Sequence, residues 1–164
     1  MSSMQSYVHL ESPVGTLLLT ADDAGLREIL FPVLGRPASP ENGWTEDARL
    51  LAEAVTQLRA YFSGELENFT VPLSPEGTAF QQKVWSELLK IPYGETISYG
   101  ELARRIGNPN ASRAVGLANG SNPIPIIIPC HRVIGSNGKL TGYGGGLPIK
   151  EKLLALERRQ LRLL

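Results

Sequence analysis

The chain has 164 residues, 42% of them hydrophobic and 20% charged, which is the balance of an ordinary soluble globular protein of one sizeable domain or two small lobes. No run of about 18 apolar residues exists, which excludes a membrane-spanning helix, and Met1 to Tyr7 has no basic cluster followed by an apolar core, so no secretory signal is expected. The formal net charge is zero, but residues 1–78 carry 4 Lys/Arg against 11 Asp/Glu (−7) and residues 79–164 carry 12 against 5 (+7). A basic half suits a polyanionic partner; it equally suits an electrostatic match between two lobes of one protein. The single cysteine cannot form an internal disulfide, which fits a reducing compartment and a cytoplasmic location. One cysteine and two histidines also argue against a structural zinc site.

In chain order, Tyr7–Glu11, Gly15–Ala21 and Gly25–Phe31 alternate or cluster apolar residues between turn signals and read as a three-strand antiparallel meander. Pro32 to Gly43 is rich in proline and glycine and reads as a loop. Thr45 is placed to cap a helix over Glu46–Phe62, where Ala48, Leu51, Ala52, Val55, Leu58, Tyr61 and Phe62 recur at helical spacing until Gly64. Val71-Pro72-Leu73 is a short strand or extended link, and composition shifts near Ser74-Pro75. Two lobes are expected, over 1–75 and 76–164.

The second lobe reads as mostly helical. Thr78 caps a helix bearing Phe80, Val84, Trp85, Leu88 and Leu89, which Ile91-Pro92-Tyr93-Gly94 ends. Ser98–Ile106 and Ala111–Asn119 are two short helices joined by a turn at Gly107–Pro109, a helix-turn-helix pattern. The second of them is rich in small residues, Ala111, Ser112, Ala114, Gly116, Ala118 and then Gly120. They permit either close approach to a surface or close packing between helices.

The chemistry concentrates between Asn122 and Gly135. Pro123, Pro125 and Pro129 fall within seven residues and forbid an ordinary helix or a central strand. The Ile126–Ile128 run still needs burial. A rigid, buried, extended segment delivering Cys130 to a fixed point is the expectation. A thiol must lose its proton before it attacks carbon, and His131 is adjacent. A carboxylate could orient that histidine, Glu151 and Glu157 being the downstream candidates. A lone buried cysteine can also be a small hydrophobe, and spacing alone names no reaction. A lesion-binding DNA module and a cysteine hydrolase built from Cys130, His131 and Asn122 remain alternatives at this point.

Pro129-Cys130-His131-Arg132-Val133 is similar to the signature of the O6-alkylguanine-DNA alkyltransferase family, the methylated-DNA–protein-cysteine methyltransferases. The likeness extends through Phe80–Trp85, Ile91–Thr96, Ser98-Tyr99, Gly107–Pro109, Ser112–Gly116, Asn122-Pro123, Gly142–Gly146 and Lys150–Glu157, and so covers Thr78 to Glu157 with few gaps. The first lobe resembles the family in element order and in Ala60-Tyr61-Phe62-Ser63-Gly64. The resemblance implies an α+β protein. A ribonuclease-H-like α/β lobe with a small antiparallel sheet would precede a mostly helical, winged-helix-like lobe carrying the helix-turn-helix.

The function it implies is DNA repair by direct damage reversal. The alkyl group of O6-alkylguanine in double-stranded DNA would move to Cys130, once per molecule, with O4-alkylthymine left open. The helix-turn-helix would enter the minor groove and the damaged nucleotide would be flipped into a pocket. Cys130 is then the alkyl acceptor, His131 draws its proton through a water, Glu157 orients His131, and Asn122 organises the cysteine loop. Tyr99 crowds the 3′ phosphate and can donate a proton to the leaving guanine. Arg113 fills the gap left by the flipped base, with Ala111, Ser112, Ala114 and Gly116 near the DNA. Ser136, Tyr143, Gly144 and the supporting Lys150 belong to the substrate pocket. No cofactor, metal or membrane is implied, and the expected form is a monomer, with cooperative assembly on DNA left open. Two departures bear on this. Gly144 stands where some members have a serine hydroxyl, and His9 stands without the cysteines with which some relatives bind zinc.

Overall fold

The structure, a computed structural model, describes residues 5–135, 137, 138, 143 and 145–163. The chain divides into two compact units, Met1–Glu76 and Gly77–Leu164.

The first unit is built on a four-stranded sheet in the order β3-β2-β1-β4, from β1 (Ser6–Leu10), β2 (Leu17–Asp22), β3 (Gly25–Leu30) and β4 (Thr45–Glu46). The expected meander is present: β1 and β2 are antiparallel with Val8 opposite Leu19, and β2 and β3 are antiparallel with Leu19 opposite Ile29. The central strand β2 buries Leu17, Leu18 and Leu19 in succession, the mark of a strand covered on both faces. Thr45 does not cap a helix. It lies in β4, which pairs in parallel with β1, so the sheet is mixed rather than purely antiparallel. The backbone explains the change: Thr45 N donates to Gln5 O and Asp47 N to Tyr7 O. The side chain of Asp47 then accepts from the amides of Arg49 and Leu50 and turns the chain. The helix α1 therefore starts late, at Ala52–Phe62, with Leu58 and Tyr61 fully buried.

The second unit contains α2 (Ala79–Leu88), β5 (Ile97–Ser98), α3 (Tyr99–Arg105), α4 (Ser112–Gly120), a single 3-10 turn at Cys130–Arg132, β6 (Val133–Ile134) and α5 (Leu147–Leu163). Thr78 and Gln81 form a reciprocal capping box at the start of α2. Trp85 of α2 donates from its indole Nε1 to Ala118 O, 2.8 Å away, and so fastens α2 to α4. Ser98 caps α3 by accepting from Glu101 N.

The α3–α4 turn is closed by a Schellman pattern, Gly107 N to Arg104 O and Asn108 N to Ala103 O. Gly107 has φ +82° with open space around it, so conformation alone requires glycine there. The short strands β5 and β6 pair in parallel, Ile97 opposite Val133. They join the entry to the helix-turn-helix to the residues that follow Cys130. Along α5 the buried positions are Lys150, Leu153, Leu154 and Glu157, a stripe at helical spacing in which two of four residues are charged.

Thr78→Ala removes the side chain that accepts from Gln81 N. It should lower stability by about 1 kcal/mol, roughly 2–4 °C in the midpoint of thermal unfolding followed by circular dichroism.

Candidate active site

Cys130 sits at the start of the 3-10 turn and is buried. The segment leading to it is buried as expected, with Ile124, Ile126, Ile127 and Ile128 inside, but it is not extended. It coils into a tight turn closed by Ile128 N donating to Ile124 O at 2.9 Å. The prolines contribute no N–H groups, so the remaining amides must close the turn themselves. Asn122 completes it: Oδ1 accepts from Ile124 N at 2.9 Å and Nδ2 donates to Ile128 O at 2.8 Å. Ile126 takes φ +76°, a backbone region that β-branched residues rarely occupy. The surrounding bonds hold that strain immediately before the reactive residue.

Glu157, from α5, is buried against the next two residues. His131 Nε2 lies 2.7 Å from Glu157 Oε2. Arg132 donates from Nε to Oε1 at 2.8 Å and from Nη2 to Oε2 at 3.0 Å. The guanidinium also donates from Nη1 to Ile91 O at 2.7 Å and lies 5.6 Å from the centre of the Tyr93 ring. Gly94 N adds a donor to Oε1 at 3.3 Å. Burial opposes the charge on Glu157, but the bonds from His131 and Arg132 outweigh it and hold the carboxyl down at about 2. An ionised carboxylate only accepts, so His131 must carry its proton on Nε2 and present Nδ1 as a lone pair. That Nδ1 is buried and has no protein partner among the described residues. Burial also lowers the pKa of His131, which keeps the ring neutral and able to take a proton at pH 7.

Burial pushes the Cys130 thiol up to about 11, against the opposing pull of Asn122, Lys150 and Tyr143. The resting group is therefore a thiol and not a standing thiolate. The reason is desolvation, which penalises the anion more than its neighbours reward it. Lys150 is fully buried and donates from Nζ to Val133 O at 2.7 Å, with burial lowering its pKa. Tyr143 interacts with Cys130, and burial first, then that cysteine, raises its pKa.

The structure brings Cys130, His131, Glu157, Asn122, Lys150 and Tyr143 together. Tyr99, the first residue of α3, lies against α4: a β-carbon on Gly116 would lie 3.9 Å from its ring. On α4, Ser112, Arg113 and Ala114 are exposed and Ala111 and Gly116 partly so. Ser136 and Gly144 lie outside the described residues. Among the described residues no group of three or more His, Cys, Asp or Glu could hold a metal ion.

Two features escape a reading of the sequence. Arg132 was legible only as part of a phrase; a buried arginine on the same carboxylate as the histidine is a fact of folding. Leu117, 73% exposed on the face of α4 that carries Arg113, is the large apolar side chain among small ones.

Glu157→Gln strands the Arg132 charge and should cost about 3–5 kcal/mol at pH 7. The folded pKa is depressed, so this stabilisation is complete above the unfolded value of 4.5 and disappears as pH falls toward 2. Denaturant unfolding of both proteins should therefore show the gap narrowing over that interval.

Two family domains match the chain: the 6-O-methylguanine DNA methyltransferase ribonuclease-like domain over residues 6–75 and the DNA binding domain of the same family over 79–159. A methylated-DNA–protein-cysteine methyltransferase of Methanosarcina acetivorans is 57% identical over 151 residues, covering 92% of this chain and 97% of the relative. The crystal structure of Mycobacterium tuberculosis OGT in complex with DNA superposes with a TM-score of 0.87 at 53% identity, covering 94% of each chain. An O6-methylguanine DNA methyltransferase of Methanococcus jannaschii gives 0.69 at 28% identity, covering 92% of this chain and 93% of that one. With both units matched in chain order, the chain belongs to the 6-O-methylguanine DNA methyltransferase family.

Proposed function

We propose that this protein repairs DNA by direct reversal, moving the alkyl group of O6-alkylguanine in duplex DNA onto Cys130 Sγ. The observation that carries the reading is the buried run of Glu157, His131 and Cys130, in which the histidine is neutral and turns an unoccupied Nδ1 away from the carboxylate. The solved complex of the M. tuberculosis relative with DNA supports a DNA partner.

Ionised Glu157 fixes the Nε2–H form of His131, and Arg132 fixes Glu157. As the lesion arrives, the Cys130 proton passes to Nδ1, directly or through one water. The imidazolium that results faces Glu157, which stabilises it. Sulfur attacks the alkyl carbon in line and the carbon–O6 bond breaks. The bonding pair leaves with guanine, which gains a proton; Tyr99 is the group we assign to supply it. A thiol pKa near 11 suits this timing, because the thiolate forms when a base is present to receive the proton. Lys150 and Asn122 favour the anion as it forms. The product is a thioether with no good leaving group, and the chain has no second cysteine to restore it, so each molecule reacts once.

The lesion is shielded in the stack, so the nucleotide must be turned out of the duplex. Ser112, Arg113 and Ala114 present the exposed face of α4, and the small residues around Arg113 suit a narrow minor groove. We assign Arg113 to the gap left by the flipped base, and Tyr143 to one wall of the pocket. No helix of the described residues is long and apolar enough to cross a membrane. We assign the protein to the cytoplasm, where a lone thiol stays reduced.

Incubation with duplex bearing O6-[methyl-³H]guanine should label Cys130, at most one methyl per molecule, and Cys130→Ala should take up none. Folded wild-type protein that takes up no label contradicts the reading. Arg113→Ala should slow transfer about tenfold while weakening duplex binding far less. Equal losses in a single-turnover assay and a binding titration would make Arg113 a plain phosphate contact.

A further inference from the structure

Gly77 opens the second unit, immediately before the capping box of α2. Its φ lies outside the left-handed region, so conformation does not call for glycine there. Packing does. A β-carbon at Gly77 would lie 2.4 Å from Trp85 Cη2, 2.6 Å from Trp85 Cζ3 and 2.8 Å from Gln81 Oε1. All three are shorter than van der Waals contact, so a side chain here has to move the indole, the Gln81 amide or the chain itself. The chain is held at the next residue. Thr78 N donates to Gln81 Oε1 at 2.8 Å, and Thr78 Oγ1 accepts from Gln81 N at 3.1 Å. The indole is buried.

The two side chains for which Gly77 makes room also hold the C-terminal end of α4. Trp85 Nε1 donates to Ala118 O at 2.8 Å. Gln81 Nε2 donates to Ser121 Oγ at 3.0 Å, and that hydroxyl donates to the same Ala118 O at 3.0 Å. The acceptor turn is attached to the same end. Asn119 Nδ2 reaches Cys130 O at 3.4 Å, and Asn122, just past the helix, carries the bonds that shape the turn. The other end of this nine-residue helix presents Arg113 to solvent. The setting of α4 relative to α2 therefore fixes where Arg113 stands with respect to Cys130.

We propose that Gly77 and Trp85 are a positioning pair for the transfer. The chain entering the second unit rests on the indole, and the indole sets α4, so that a nucleotide turned out at Arg113 arrives at Cys130. The proposal rests on the function assigned above. It concerns delivery of the lesion and not proton transfer at sulfur, because the bonds that set His131 and Glu157 involve neither residue.

The test compares single-turnover transfer to Cys130 from two methyl donors: saturating duplex bearing O6-methylguanine, and the free base O6-methylguanine, which needs no turning out. Trp85→Phe keeps an aromatic ring but loses the Nε1 donor and the outer ring atoms that face Gly77. It should slow transfer from duplex about tenfold and transfer from the free base by less than about twofold. Gly77→Ala should show the same split. Added to Trp85→Phe, Gly77→Ala should cost less than about a further twofold, because the ring atoms it would strike are gone. A wild-type rate from duplex in Trp85→Phe overturns the proposal, whatever becomes of Gly77→Ala. An equal loss on both donors also overturns it, since the pair would then support the unit as a whole. So does a full second loss in the double variant, which would have Gly77 act through something other than the indole. Wild-type protein that accepts methyl from neither donor is a distinct result, since it removes the reaction itself and this proposal with it.

Discussion

One carboxylate, Glu157, ties together three stretches that are distant in sequence. It accepts from His131 and Arg132 of the acceptor turn, and from the main chain at Gly94, in the turn that ends α2; Arg132 in turn reaches the carbonyl of Ile91. Glu157 itself comes from the fourth position of the buried stripe of α5, with Lys150 at the first. Helix α5 is therefore the rear wall of the site, and its polarity is directed inward. Two charges in a buried stripe are tolerable because each is bonded: the carboxylate to a guanidinium and an imidazole, the ammonium to Val133 O.

The same contact sets the chemistry. A buried carboxylate held near 2 stays ionised and can only accept, which leaves one tautomer for His131. The burial that keeps His131 neutral also keeps Cys130 protonated. Nucleophile and base are thus both uncharged at rest, and charge separates when the proton moves. A thiol kept at about 11 is protected from oxidation and stray alkylation, which matters for a group that is used once. Reactivity then depends on position, and position comes from the Asn122 bonds and the strained Ile126 turn behind the cysteine.

Much of this was legible in the residues. The alternating runs gave the meander, Thr78 and Ser98 announced the starts of α2 and α3, and Gly107 marked the turn between α3 and α4. Other parts depended on partners that local pattern does not contain. Thr45 looks like a cap, yet its backbone pairs with β1, about forty residues earlier, and that pairing outweighs the capping preference. The prolines of 123–129 correctly excluded helix and strand, but an extended path was not the remaining solution; Asn122 drew the segment into a turn. The resting state of the thiol is not legible in the sequence, which does not show how completely water is removed from Cys130. Arg132 was visible as a letter, but its place on Glu157 comes from burial and from the partners that folding brings to it.

The central claim is that Glu157 sets the state of His131. ¹⁵N NMR of the imidazole in the unmodified protein at pH 7 tests it most directly. The account predicts a neutral ring with its proton on Nε2 and an unprotonated Nδ1, lost as a fixed tautomer in Glu157→Gln. An imidazolium at pH 7, or a ring protonated on Nδ1, would contradict it.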